Sequence, residues 1–178
     1  MNLYLRLLWT WLRALRLPRI AVTDAIELKF RVLPNDLDIN LHMNNGRYLT
    51  IADLALIEFF VRTGFVRALL KNGWRPMLGG AIITFRKQLS PFARYTVRFR
   101  WVGCDEFWNY METTFIRDDG AIAAKGLVKG AAVGRNGLVP MTQGIAALRE
   151  LTGETIAVPA LPEHVQRWID AEKSLWAA

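Results

Sequence analysis

The chain is short of the residues that cross-link or metallate small proteins. Among its 178 residues there is one cysteine, Cys104, and there are two histidines, His42 and His164. A single cysteine cannot close an internal disulfide. With no Cys or His beside it at ligand spacing, it reads as an ordinary half-buried strand residue of a chain from a reducing compartment. The two histidines lie too far apart for a zinc motif of the His-Glu-x-x-His kind, so no metal is expected, and no cofactor either. There is no lysine and arginine run long enough for a nucleic-acid arm, no RNP-type aromatic motif and no zinc finger, which removes nucleic acid from the expected partners. Internal repeats and low-complexity tracts are also missing.

What remains is a basic, apolar chain. A length near 180 residues is about one domain, and 52% apolar residues can build a sizeable core. The formal charge of +7 points to anionic partners such as a phosphorylated molecule, an acidic carrier protein or a membrane surface, without choosing among them.

Residues 3–18 mix Leu, Trp and Tyr with Arg6, Arg13 and Arg16. On a helix, Leu3, Tyr4, Leu7, Leu8, Trp11, Ala14 and Leu15 fall on one side and the three arginines on the other, the pattern of a basic amphipathic helix that Pro18 ends. Its longest uncharged run, Leu7 to Leu12, is far short of a membrane span, and the arginines argue against a signal peptide. Two uses stay open: a cover for the folded domain, and peripheral contact with a membrane surface through residues 1–18.

Strict alternation from Ile26 to Val32 predicts a half-buried strand that Pro34 stops. After a polar loop, Asn44 or Asn45 can cap a helix over Tyr48 to Val61 that is apolar almost all round, broken only by Thr50, Asp53 and Glu58. Such a helix is wrapped by other elements, and Glu58 is placed to pair with Arg62 within it. A shorter helical piece between Gly64 and Gly73 precedes four strands, near residues 77–89, 95–103, 106–117 and 121–135. The second has Tyr95, Val97, Phe99 and Trp101 on one face and Arg94, Thr96, Arg98 and Arg100 on the other. Asp118-Asp119-Gly120 is a hairpin turn that makes the last two strands antiparallel neighbours. Residues 140–151 and 162–176 read as two further helices. The order strand, buried helix, four antiparallel strands is an α+β plan with a sheet curled round one helix.

The loop Asp36-Leu37-Asp38-Ile39-Asn40-Leu41-His42-Met43-Asn44-Asn45-Gly46 concentrates the chemistry. Asp38, Asn40 and His42 at i, i+2 and i+4 can point the same way in extended or irregular backbone, offering a proton acceptor, a neutral hydrogen-bonding amide and a titratable ring. The N–H groups of Asn45 and Gly46 at the start of the helix, with its dipole, suit a developing oxyanion. A plainer use of the same residues is local: turn carboxylates, a helix cap and a loop histidine.

The string from Asp36 to Tyr48 resembles the active-site loop of hotdog-fold thioesterases. It is similar to the plant acyl-carrier-protein thioesterases, whose motif Asp-Leu-Asp-Val-Asn-Gln-His-Val-Asn-Asn-x-x-Tyr it matches at each polar site but the glutamine, here Leu41. The 4-hydroxybenzoyl-CoA thioesterases share the second aspartate, on Asp38, and usually have a glycine where this chain has Leu41. The branch of thioesterase superfamily member six looks closer, with the same Arg-Val-Leu-Pro lead (Arg31 to Pro34) and Leu-His-Met-Asn-Asn core. The resemblance runs from about residue 30 to 130.

It implies a hotdog domain over residues 21–136, with the amino-terminal helix (1–20) and a carboxy-terminal helical extension (137–178) as accessories. It also implies hydrolysis of acyl-CoA or acyl-carrier-protein thioesters. Asp38 would be the general base or nucleophile, Asn40 and His42 would assist, and Asn45, Gly46 and Gln88 would hold substrate or oxyanion. Gln88 and Leu89 stand where the plant enzymes carry an acid and a cysteine, so a second base is missing. A homodimer or dimer of dimers and a cytoplasmic setting, at the membrane periphery if residues 1–18 bind lipid, complete the expectation. The competing functions are a non-catalytic acyl-thioester binder of the same fold and a membrane-peripheral scaffold.

Overall fold

A computed structural model describes residues 3–177, without the side chain of Leu3; the parts of the expected terminal elements at residues 1, 2 and 178 lie outside it. The chain runs α1 (Leu3–Arg16), β1 (Ile26–Arg31), a 3-10 turn (Pro34–Asp36), α2 (Asn45–Thr63), α3 (Phe65–Asn72), β2 (Arg75–Phe85), β3 (Arg94–Cys104), β4 (Asn109–Arg117) and β5 (Ile122–Gly134). A two-residue β6 (Gly137–Leu138), α4 (Met141–Thr152) and α5 (Glu163–Trp176) follow. The strands pair antiparallel in the order β1-β3-β4-β5-β2, with β6 beside β5.

The sheet curls round α2, the hotdog plan. Asn44 caps α2 through its side chain, and Gly64 ends it in the left-handed conformation at φ 85°. Ile51, Ala52, Leu54, Ala55 and Phe59 of α2 meet the inward residues Tyr95, Val97, Phe99, Met111 and Phe115 in one core. Burying each such large side chain stabilises the fold by about 1.5–3 kcal/mol, so the helix is fixed by its contacts with the sheet more than by its own propensity.

Helix α5 covers part of the outer sheet face, with Val165 buried and Trp168 edge-on to Tyr110. Glu172 pairs with Lys129, and the Lys129 ammonium lies over the Trp108 ring. Trp108 lies so close to β2 that a Cβ on Gly79 would stand 2.1 Å from its ring, at the point where the pairing of β2 with β5 is irregular. Cys104 ends β3 half-buried, where burial and then the Asp105 charge push its thiol pKa up.

The orientation of α1 is rotated from the expectation: Leu7 and Ala14 pack inward, but so do two of the three arginines, while Arg16 is exposed. Arg6 is 7% exposed and grips Asp36 through both guanidinium nitrogens at 2.7 and 3.0 Å. Arg13 donates to Glu58 at 2.7 and 3.1 Å, and Thr10 and Ala14 are buried between them. Tyr4, Leu5, Leu8, Trp9, Trp11, Leu12 and Leu15 are exposed. The cause is the buried carboxylates of Asp36 and Glu58, both 0% exposed, which need cations more than the helix needs to hide its leucines. Glu58 also takes the expected partner Arg62, at 3.2 Å.

Candidate active site

Between β1 and α2 the chain folds back on itself. Asp36 anchors this loop from inside: its carboxylate accepts the Leu33 N–H and the guanidinium groups of Arg6 and Arg47, and its carbonyl accepts the Asn44 N–H. Leu37 then pairs with Met43, and the Met43 N–H reaches the Leu89 carbonyl at 2.9 Å. Two further backbone bonds close the tip, Asp38 N–H to the His42 carbonyl and Leu41 N–H to the Asp38 carbonyl. Leu41 sits at φ 56°, the left-handed region where a glycine is the easier residue.

This turn, and not an extended backbone, brings Asp38 and His42 together. Asp38 Oδ2 stands 3.4 Å from His42 Nδ1, and Asp38 Oδ1 accepts the Asn40 N–H at 2.8 Å. Both side chains of the pair are part-exposed, at 19% for Asp38 and 30% for His42. Asn40 is exposed at the tip, and the group it brings to Asp38 is its backbone N–H. The arrangement can take up a proton at Asp38 from a molecule approaching the loop, while the imidazole orients the carboxylate or that molecule.

Asn45 and Gly46 open α2 directly after the loop, exposed as expected. The Gly46 N–H is already bonded to the Asn44 side-chain oxygen at 2.9 Å, which corrects the expectation of two free donors. Among the described residues no acceptor is found for the Asn45 N–H, and it remains the donor available to an oxyanion. Gln88 lies in the connection after β2 and not on a strand. It is exposed, its carbonyl accepts from Arg117, and the adjoining Leu89 carries the bond to Met43 that sets it beside the loop. Tyr48, one turn into α2, is buried between Phe85 and Phe115, and burial pushes its hydroxyl pKa up to about 12, too high for proton transfer near neutrality.

Asp53 was taken from the sequence as a break in an apolar helix. In the fold it lines an apolar cavity of about 200 Å³ with Leu56, Phe60, Met77, Leu78 and Met111, and desolvation by these walls raises its carboxyl pKa. The signal was there in the spacing of Leu49, Asp53, Leu56 and Phe60 along one side of α2. Of the surface cations, Arg98 and Arg100 are neutralised by Glu27 and Glu112. Arg86, Lys87 and Arg94 are exposed and form no ion pair among the described residues.

A family model described as the thioesterase-like superfamily matches residues 32–169. Protein THEM6 of Xenopus laevis is 29% identical over 140 residues, 78% of this chain and 64% of that protein. Protein THEM6 of Danio rerio is 31% identical over 168 residues, 93% of this chain and 80% of that protein. The chain thus spans less than two thirds of the Xenopus relative. Among solved structures, a hypothetical protein of Staphylococcus aureus in complex with CoA superposes with a TM-score of 0.62 at 15% identity, over 83% of this chain and 95% of that one, a likeness of fold.

Proposed function

We propose that this chain, which belongs to the thioesterase-like superfamily, hydrolyses acyl thioesters with Asp38 as the general base. The observation that carries the reading is the Asp38–His42 pair, 3.4 Å apart at the foot of a helix whose Asn45 N–H has no protein acceptor among the described residues. Asp38 takes a proton from water as the water oxygen bonds to the thioester carbonyl carbon. The displaced electron pair goes to the carbonyl oxygen, which faces the Asn45 N–H and the positive end of α2. Collapse restores the carbonyl and breaks the carbon–sulfur bond, and the leaving thiolate recovers the proton from Asp38. His42 holds the carboxylate or the water in line. If Asp38 were instead the nucleophile, displacing the thiolate to form an anhydride that water opens at the aspartyl carbon, a single turnover in oxygen-18 water would leave label in the Asp38 carboxylate.

Acyl-CoA is the substrate class favoured. Arg86, Lys87 and Arg94 are exposed cations with no ion pair among the described residues, suited to phosphates, and a protein of like fold binds CoA. The experiment is release of free thiol from a panel of acyl-CoAs and acyl carrier proteins. Release from acyl-CoAs supports the reading, and release from carrier proteins alone would change the substrate class. Binding of acyl-CoA without release would make this a non-catalytic binder, a reading favoured by the capped Gly46 N–H and by Gln88 in place of an acid.

The working unit is a homodimer in this reading. Strand β2 is at the edge of the sheet with Met77, Leu78, Ile82 and Phe85 exposed, and an apolar edge strand is a template for a second copy. Asp53 and its cavity border this edge and would be covered by the partner. Light scattering that gave a stable monomer with full hydrolytic activity would remove the dimer from the account.

A further inference from the structure

Helix α1 is fastened by its charges and displays its grease. The ion pairs of Arg6 with Asp36 and Arg13 with Glu58 fix its rotation about its own axis. At about 100° per residue, Trp11, Tyr4, Leu15, Leu8, Leu12, Leu5 and Trp9 then occupy an outward arc of roughly 160°. All seven are more than a third exposed, Tyr4 at 74% and Trp9 at 66%. Such a stripe is costly in water, and the protein accepts it although the same helix turned over would hide most of it.

We propose that this face seats in the boundary between headgroups and acyl chains of a phospholipid bilayer containing anionic lipid. The charge pattern selects this occupant. Helix α1 carries no Asp or Glu, Arg16 lies within the outward arc, and Arg19 and Lys29 are exposed at its flanks, Lys29 beside Leu5 and Trp9 in a shallow groove. Cations beside leucines, with tryptophan and tyrosine whose rings bridge apolar and polar layers, are the composition of an interfacial helix. At 14 residues α1 is about 21 Å long, too short to cross a bilayer, and its arginine pins keep it parallel to the protein surface, so it lies on the membrane. A second copy fits the stripe less well, because self-pairing would bring the Arg16 side chains of two helices together with no Asp or Glu on either helix to meet them. The proposal stands apart from the hydrolytic reading, since none of these residues belongs to the Asp38 loop.

The test is co-sedimentation of the full chain with vesicles of phosphatidylcholine alone and with added phosphatidylglycerol. The wild type should sediment with the mixed vesicles. The triple variant Leu8→Gln, Trp9→Gln, Leu12→Gln, all exposed positions, should lose at least about tenfold in partitioning with its melting temperature unchanged. Arg16→Gln should lose about fivefold on mixed vesicles and nothing on phosphatidylcholine, the scale of one basic residue near an anionic surface. Wild-type protein that stays in the supernatant with both vesicles, or a triple variant that sediments like the wild type, overturns the proposal. So does a triple variant whose only defect is loss of self-association, which would assign the stripe to a second copy.

Discussion

Asp36 and Asp38 are two residues apart in one loop and have opposite surroundings. Asp36 is wholly buried, and two guanidinium groups and a backbone N–H consume its oxygens. Asp38 is part-exposed, with one oxygen steadied by the Asn40 N–H and the other looking at an imidazole that can itself exchange protons. The same residue type is a fastening in one case and, in the proposed function, the reactive group in the other. The difference comes from α1, thirty residues upstream, which supplies the Arg6 that seals Asp36 and supplies nothing to Asp38. Rigidity at the first aspartate is what allows the second to be held ready without a strong partner of its own.

The comparison breaks most sharply at Asp38. Asp38→Asn should leave the melting temperature in place and lower thiol release by about a hundredfold to ten-thousandfold, the scale for a positioned base. His42→Ala should cost less if the ring only orients. Equal losses from both single variants and from the double variant would mean that the pair acts as a unit. Turnover that survived Asp38→Asn would move the chemistry elsewhere.

Asp36→Asn should do the reverse in the first instance. It leaves Arg6 and Arg47 facing a neutral amide in a sealed site, and breaking a buried pair in this way costs about 3–5 kcal/mol. Urea unfolding should show that loss, and any fall in activity should track the unfolded fraction. A variant of normal stability with a dead site would abolish the division of labour between the two aspartates.

Much of the frame was legible because local pattern and tertiary structure agree there. Alternation along Tyr95 to Trp101 gave the core face of β3, the Asp118-Asp119-Gly120 turn joins β4 to β5, and the apolar run after Asn44 became the wrapped helix α2. The loop was legible as a cluster and illegible as a geometry. Spacing let Asp38, Asn40 and His42 point the same way in extended or irregular backbone; the fold is the irregular case, in which the positive φ at Leu41 turns the chain and leaves Asn40 acting through its backbone. Helix α1 was legible as a helix, with Leu7 and Ala14 turned inward, but the facing of Arg6 and Arg13 was not. Amphipathicity assumes that arginine seeks water, and only the fold reveals that Asp36 and Glu58, 30 and 45 residues away from Arg6 and Arg13, are buried and need cations. Asp53 escaped for a related reason: its apolar surroundings come partly from β2, which sequence order does not place beside it.

Asp53 supplies a third carboxylate for the comparison, and the smallest effect. It lines an apolar cavity and has no ion pair among the described residues, and desolvation by the cavity walls raises its pKa, whereas Asp36 is held by two guanidinium groups. A carboxyl whose folded pKa exceeds its unfolded value binds its proton more tightly in the folded state. The resulting stabilisation is complete below the unfolded value, about 3.9 for Asp, and is lost as pH rises through the folded pKa. At neutral pH the ionised Asp53 is then a mild burden on the fold, and Asp53→Asn should raise the melting temperature slightly at pH 7 while leaving a smaller difference near pH 3. If a dimer closes over β2, the gain should grow with protein concentration, because the partner would remove more water from the same carboxylate. A wild type that melts above the variant at pH 7 would show instead that Asp53 finds a cation or a donor across the interface, and would place it with Asp36 among the fastenings.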